Sequence, residues 1–144
     1  MTGGGSPCAP CRPIVLTTLP HFLALIFVIG KSEVCFIVYS VVVALSATAS
    51  ITWHIRHESR DWFLVVDYGL AFAWFIMDVV IASTRTDVRT TLLVCVLNLL
   101  VFGTNMGQSH FAGKGTAAYE WAHSVWHLLS CAKAIYIAFI LGRS

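Results

Sequence analysis

Charged residues are scarce in this sequence. Asp, Glu, Lys and Arg together make up only 11% of its 144 residues, whereas a soluble domain typically carries about 25%. Neither sign dominates, and a net charge of +2 is too small to indicate a nucleic-acid partner. The composition also excludes intrinsic disorder and a small disulfide-stapled secreted domain. With 58% hydrophobic residues, the chain is expected to be an integral membrane protein.

The length of the chain limits the number of membrane spans. A bilayer core needs roughly 20 residues per helical span, so five or six spans fit and no separate soluble domain does. We predict an all-α integral membrane protein with a flexible tail at 1–13 and one transmembrane helical domain at 14–144. A signal peptide competes as an interpretation of the first segment, although no small-x-small cleavage site follows cleanly. The five predicted spans are about 14–29, 34–54, 62–83, 88–106 and 117–141.

The polar residues inside these spans converge on one face of the membrane. His54 ends the second span, Asp67 lies near the start of the third, and His123 and His127 lie near the start of the fifth. Since consecutive spans run in opposite directions, all four residues fall at a similar depth, near what we call the histidine end. Ser50 lies one helical turn deeper than His54. Ionisable residues within spans are costly and usually mark function or pairing.

The three histidines have the pattern of a metal site. His123 and His127 are four residues apart, so both imidazoles project from one helix face. His54 would complete a three-histidine set, and zinc sites with three protein ligands and one open position are the catalytic kind. Asp67 could then orient a ligand or bind a water. The competing interpretation is that these are interfacial histidines bonded to headgroups or loops, and His57 or His110 could also substitute for His54 as a ligand.

These residues resemble the motifs of a known superfamily. The strings are Ser50-Ile51-Thr52-Trp53-His54, then Asp67-Tyr68-Gly69, then His123-Ser124-Val125-Trp126-His127. They resemble the CREST superfamily of multispan membrane proteins, which includes the alkaline ceramidases, the progestin/adipoQ receptors with the haemolysin-III-like proteins, and the myomaker-like proteins. The resemblance implies a zinc ion held by His54, His123 and His127, with Asp67 near the bound water and Ser50 beside the site.

The resemblance also implies a function. We expect a zinc-dependent hydrolase that acts on a lipid amide or ester within the bilayer, with Asp67 and Ser50 as catalytic residues. The alternative is a non-catalytic, receptor-like or membrane-remodelling protein with a structural zinc site. The superfamily core has seven spans, so this chain is shortened by two helices. Its pocket is therefore open, completed by a second copy of the chain in a homo-oligomer, or absent.

Several other features have simpler interpretations. Asp78 and Lys133 lie within spans, and we predict that they pair structurally rather than form a lipid or proton site. Asn98 is expected to form an interhelical hydrogen bond. Trp53, Trp62, Trp121 and Trp126 lie near the histidine end, either as an interfacial belt or as part of the site. Lys and Arg divide four to four between the two faces, so the positive-inside rule gives no orientation.

Overall fold

A computed structural model describes residues 12–29, 31–56, 62–111 and 116–143, with side chains except at 109–111 and 141–143. Every element in these ranges is helical, which confirms the all-α membrane fold. Residues 1–11 of the predicted tail (with Cys8 and Cys11), His57 and residues 112–115 lie outside the described residues, as does the side chain of His110. The elements are α1 (Pro13–Thr18), a 3₁₀ helix (Leu19–Phe27), α2 (Val34–Ile55), α3 (Trp62–Arg85), α4 (Val88–Phe111) and α5 (Ala117–Arg143).

Four helices are long and apolar enough to cross a membrane. Their candidate spans are Val34–Ile55, Trp62–Arg85, Val88–Gln108 and Ala117–Ile140. The first predicted span is instead a shorter apolar helix, Pro13–Phe27. Because a 3₁₀ helix rises about 2.0 Å per residue against about 1.5 Å for an α-helix, this two-part segment is about 27 Å long and nearly matches a bilayer core.

Pro20 explains why the first segment changes from α-helix to 3₁₀ helix. Proline has no N–H, and its ring clashes with the carbonyl four residues earlier, so it interrupts an α-helical ladder. Thr18 lies at the end of α1, and its hydroxyl donates a hydrogen bond back to the carbonyl of Ile14 (2.9 Å). Its own carbonyl accepts a hydrogen bond from the Nδ1–H of His21 (2.8 Å). The side chain of His21 is thereby turned into the bundle.

Capping residues fix where α4 and α5 begin. The N–H of Tyr119 donates to the hydroxyl of Thr116 (3.2 Å), an N-cap that starts α5 two turns before its histidines. The N–H of Thr90 donates to the Asp87 carboxylate (2.8 Å), which caps α4. That hydrogen bond stabilises the ionised form and lowers the pKa of Asp87 below its ordinary value.

The helices form a closed ring in chain order. Each contacts the next along the chain, and α5 returns to pack against α1 and the 3₁₀ helix. Burial is uneven around this ring, because 50% of the apolar stretch of α5 is buried inside the protein against 11% for α4. Of the four long helices, α4 is therefore the least covered by the rest of the protein.

The hydrophobic core fills the end of the ring opposite the histidines. Aromatic and aliphatic side chains pack there from every segment, and the N–H of Trp74 donates to the hydroxyl of Tyr39 (3.3 Å). At this end the exposed ion pair Arg85–Glu33 (2.7 Å) joins α3 to α2. The buried polar side chains of the described residues thus lie in the middle of the bundle and at the histidine end. The core residues are Ala24, Val28, Phe36, Tyr39, Val43, Trp74, Ile81, Ala82, Val94, Ala134, Ile137 and Ala138.

Candidate metal centre and cavity

Three buried imidazoles meet at the histidine end. His123 and His127 lie one turn apart on α5, with ring centroids 4.8 Å apart. His54, from the last turn of α2, lies 4.8 Å from the ring of His123 and 5.2 Å from that of His127. All three are at most 2% exposed. The predicted convergence of residues 73 positions apart is therefore present in the structure.

The donor set fits a metal ion. One ring nitrogen of each histidine lies within 4.8 Å of the others, and the Nε2 atoms of His54 and His127 are 3.0 Å apart. Zn–N bonds are about 2.0–2.1 Å long, so tetrahedral ligand atoms lie a little over 3 Å from one another. The same 3.0 Å contact would suit an N–H···N hydrogen bond between two imidazoles. The three histidines could therefore hold one ion, with small shifts of the rings.

An arginine next to α1 ties the end of α2 to the start of α5. The guanidinium of Arg12 donates to the carboxylate of Glu120 at 2.9 and 3.0 Å and to the backbone carbonyl of His54 at 3.3 Å. Glu120 precedes His123 by three residues on α5. Arg12 therefore connects the backbone of one candidate ligand to the helix that carries the other two.

We expect Arg12→Ala to weaken metal binding about tenfold, because loss of partners that orient ligands typically costs 10–100-fold in affinity. Titration of purified protein against a fluorescent zinc chelator measures this. Arg89→Ala, at an exposed site at the opposite end, is the matched control and should bind as tightly as the unchanged chain. Equal affinities in all three proteins would show that Arg12 does not position the site.

A cavity lies inside the ring next to the histidines. Its volume is about 360 Å³, within the usual range for small-molecule sites. Side chains from all five segments line it, and half of the lining residues are apolar or aromatic. It extends from His127, Ser50 and Asp67 at the histidine end to Asn98 and Lys133 further inside.

Asp67 and Ser50 face this cavity, beside the histidines. Asp67 is 6% exposed, and the hydroxyl of Ser50 lies beside its carboxyl group, although Ser50 makes no hydrogen bond of standard geometry to the described residues. A second crevice of about 20 Å³ is lined by Asp67 and His123, and this is enough for about one water molecule. The structure thus brings together all five residues predicted from the motifs.

His21 is a polar residue of the site that sequence reasoning did not explain. It lines the cavity, and its ring packs edge-on against His127 (6.0 Å) and Trp74 (5.7 Å). Since its Nδ1–H is used by Thr18, its Nε2 carries the lone pair in the neutral ring. A histidine in mid-span was the only signal in the sequence, and it did not indicate which way the ring faces.

The four tryptophans near this end divide between the two predicted roles. Trp53 is 1% exposed and packs against His54 (4.9 Å), and Trp126 packs against His123 and His127. Trp62 and Trp121, by contrast, are 73% and 68% exposed. The first pair shields the imidazoles, and the second pair suits an interfacial belt.

The predicted pairing of Asp78 with Lys133 is confirmed. The ammonium of Lys133 donates to the Asp78 carboxylate (2.6 Å) and to the Asn98 side-chain carbonyl (2.8 Å), linking α5 to α3 and α4. The ammonium also lies 4.6 Å from the ring centroid of Trp74. Asn98 accordingly makes the interhelical hydrogen bond expected of it.

Three comparisons with known proteins found no relative of this chain. No family model, no curated protein and no solved structure matches the chain. The resemblance to the CREST superfamily accordingly depends on the motif residues of α2, α3 and α5.

Proposed function

We propose that this chain is a zinc-dependent membrane hydrolase of the CREST type that cleaves a lipid amide or ester. The observation that carries the proposal is the meeting of three buried imidazoles with a cavity that is also lined by a carboxyl group and a hydroxyl group. In this proposal His54, His123 and His127 hold the zinc ion.

The cavity favours an enzyme over a structural zinc site. A purely structural metal is enclosed by its ligands, whereas catalytic sites keep one position open to substrate. Here His127 forms part of the wall of a cavity that also contains Asp67 and Ser50. A lipid whose scissile bond lies near headgroup level could place that bond at the histidine end and its chain in the apolar interior.

Each catalytic side chain has a definite task in the proposed reaction. A zinc ion, when bound, supplies Lewis acidity toward an acyl carbonyl and makes water a stronger acid. Asp67 accepts the proton of the attacking water and returns it to the leaving amine or alcohol. Ser50 donates a hydrogen bond to the negative charge that develops on the carbonyl oxygen. Trp53 and Trp126, packed around the imidazoles, limit access of bulk water.

The proposal predicts that Asp67→Asn abolishes hydrolysis without loss of metal. Asparagine has the same shape but cannot accept the proton, and loss of a general base typically costs at least about a hundredfold in rate. The assay uses purified protein with a fluorescent N-acyl sphingoid lipid and, separately, a fluorescent acyl ester in mixed micelles. Zinc content is measured on the same samples.

Asp87→Asn is the matched control. It makes the same chemical change at an exposed cap of α4, at the end of the bundle opposite the histidines, and should hydrolyse at the rate of the unchanged chain. Zinc-loaded, folded protein that cleaves neither lipid would overturn the hydrolase and favour the non-catalytic alternative. Cleavage that survives in Asp67→Asn would overturn the role given to Asp67.

A further inference from the structure

The inner end of the cavity is polar, although it lies in the middle of the bundle, away from both ends. Lys133 and Asn98 form part of the cavity wall, and Asp78, which is fully buried, lies behind them as the partner of Lys133. This group is distinct from the histidine cluster. Lys133 follows His127 by six residues on α5, which corresponds to about 9 Å along the helix axis.

One donor group and one acceptor atom of this group make no hydrogen bond of standard geometry to the described residues. An ammonium group only donates, so the atom of Asn98 that faces Lys133 must be the oxygen, and this fixes the orientation of the amide. The Nδ2 of Asn98 then makes no hydrogen bond of standard geometry to the described residues. The second carboxylate oxygen of Asp78 also makes none, but the Asn98, Trp74 and Tyr39 side chains lie close to this carboxyl group, which is enclosed by protein and is not part of the cavity wall.

A pure hydrocarbon ligand would leave the Asn98 donor unsatisfied. Buried polar groups without partners typically cost about 1–3 kcal/mol each, so a cavity that takes only unsubstituted chains would be expected to have an apolar floor. A hydroxyl oxygen accepts hydrogen bonds, so a hydroxyl group on the chain is a simple partner for the leftover donor of Asn98, which forms part of the cavity wall.

We infer that the polar inner end of the cavity, which is lined by Asn98 and Lys133 and is called the polar floor below, recognises a hydroxyl group on the acyl chain of the lipid ligand. The hydroxyl oxygen accepts a hydrogen bond from the Nδ2 of Asn98, which forms part of the cavity wall and makes no hydrogen bond of standard geometry to the described residues. The inference rests on the proposed function, because the acyl carbonyl is taken to lie at the histidine cluster. A separation of about 9 Å corresponds to roughly seven bonds of extended chain.

The test compares fatty acids that differ only in the hydroxyl group. Hexadecanoic acid, its derivative hydroxylated at the eighth carbon, and its derivative hydroxylated at the second carbon compete against a fluorescent fatty acid on the purified full chain in detergent. The acid hydroxylated at the eighth carbon should bind at least about tenfold more tightly than the unsubstituted acid, as one hydrogen bond to a buried polar group predicts. The acid hydroxylated at the second carbon should show no such gain.

Two variants on α4 identify the residue responsible. Asn98→Leu should remove the preference for the eighth-carbon hydroxyl, since leucine offers no donor. Asn105→Leu makes the same change in the same cavity, two turns nearer the histidine end, and should keep it. Equal binding of all three acids to the unchanged chain overturns the inference, as does a preference that survives in Asn98→Leu.

The outcome is separable from that of the proposed hydrolysis. The preference is a ratio of two affinities, so it should be the same with zinc added and after treatment with a chelator, even if the carboxylate binds more weakly without metal. A preference found in protein that cleaves no lipid would support the polar floor and count against the hydrolase. Cleavage without a preference for the hydroxylated chain would support the hydrolase and count against the polar floor.

Discussion

Purified His54→Ala, His123→Ala and His127→Ala are each expected to contain no bound zinc, whereas the unchanged chain should hold about one ion per chain. Each variant leaves only two imidazoles of the three that now lie within 4.8 Å of one another. Two neutral nitrogen ligands without a third cannot complete the ligand set of a catalytic zinc site. Elemental analysis after dialysis in detergent against a metal-free buffer measures the content directly.

His21→Ala is the control for this experiment. His21 packs against His127 with ring centroids 6.0 Å apart, but its Nδ1–H is bonded to Thr18 and it does not belong to the cluster. This variant should retain its zinc. If the unchanged chain holds no zinc even after incubation with the ion, His54 and His127 form a hydrogen-bonded pair and the metal site is wrong. If His21→Ala loses the ion as fully as His127→Ala, the ligand set is wrong.

The histidine cluster was accessible to sequence reasoning because two simple rules locate it. Helical periodicity places His123 and His127 on one face, and the alternation of span direction brings His54 to the same depth. Neither rule depends on knowing how the helices pack laterally. The same alternation put Asp67 at this end, and the S-x₃-H spacing put Ser50 one turn from His54. Depth in the membrane and position along a helix are therefore well determined by the sequence.

The lateral arrangement of the helices, by contrast, could not be predicted from the sequence. The return of α5 to α1 and the 3₁₀ helix is what brings His21 next to His127, and nothing in the spacing of the sequence predicts which helix closes the ring. The length of the 3₁₀ helix was also unforeseen, because runs of more than three or four residues are uncommon. Pro20 gave a reason for a break in the ladder but did not determine the type of helix on its C-terminal side.

A second large effect is expected at the ion pair in mid-bundle. Lys133→Met should lower the free energy of unfolding by about 3–5 kcal/mol, because it leaves the fully buried Asp78 without its cation. For a chain of this size that corresponds to a fall in Tm of roughly 10 °C or more. Thermal unfolding of the purified protein in detergent, followed by circular dichroism, measures the shift. Lys31→Met, an exposed lysine at the end opposite the histidines, should change Tm little.

The double variant Lys133→Met with Asp78→Asn separates the cause of this loss from simple loss of packing. If the cost comes from a stranded carboxylate, removing the charge should recover most of it, since replacing both partners of a buried ion pair is often nearly neutral. The new carboxamide can donate to the side-chain carbonyl of Asn98, which has lost the ammonium as its donor. A double variant that is no more stable than Lys133→Met would mean that the lysine stem, packed against Trp74, supplies the stability instead.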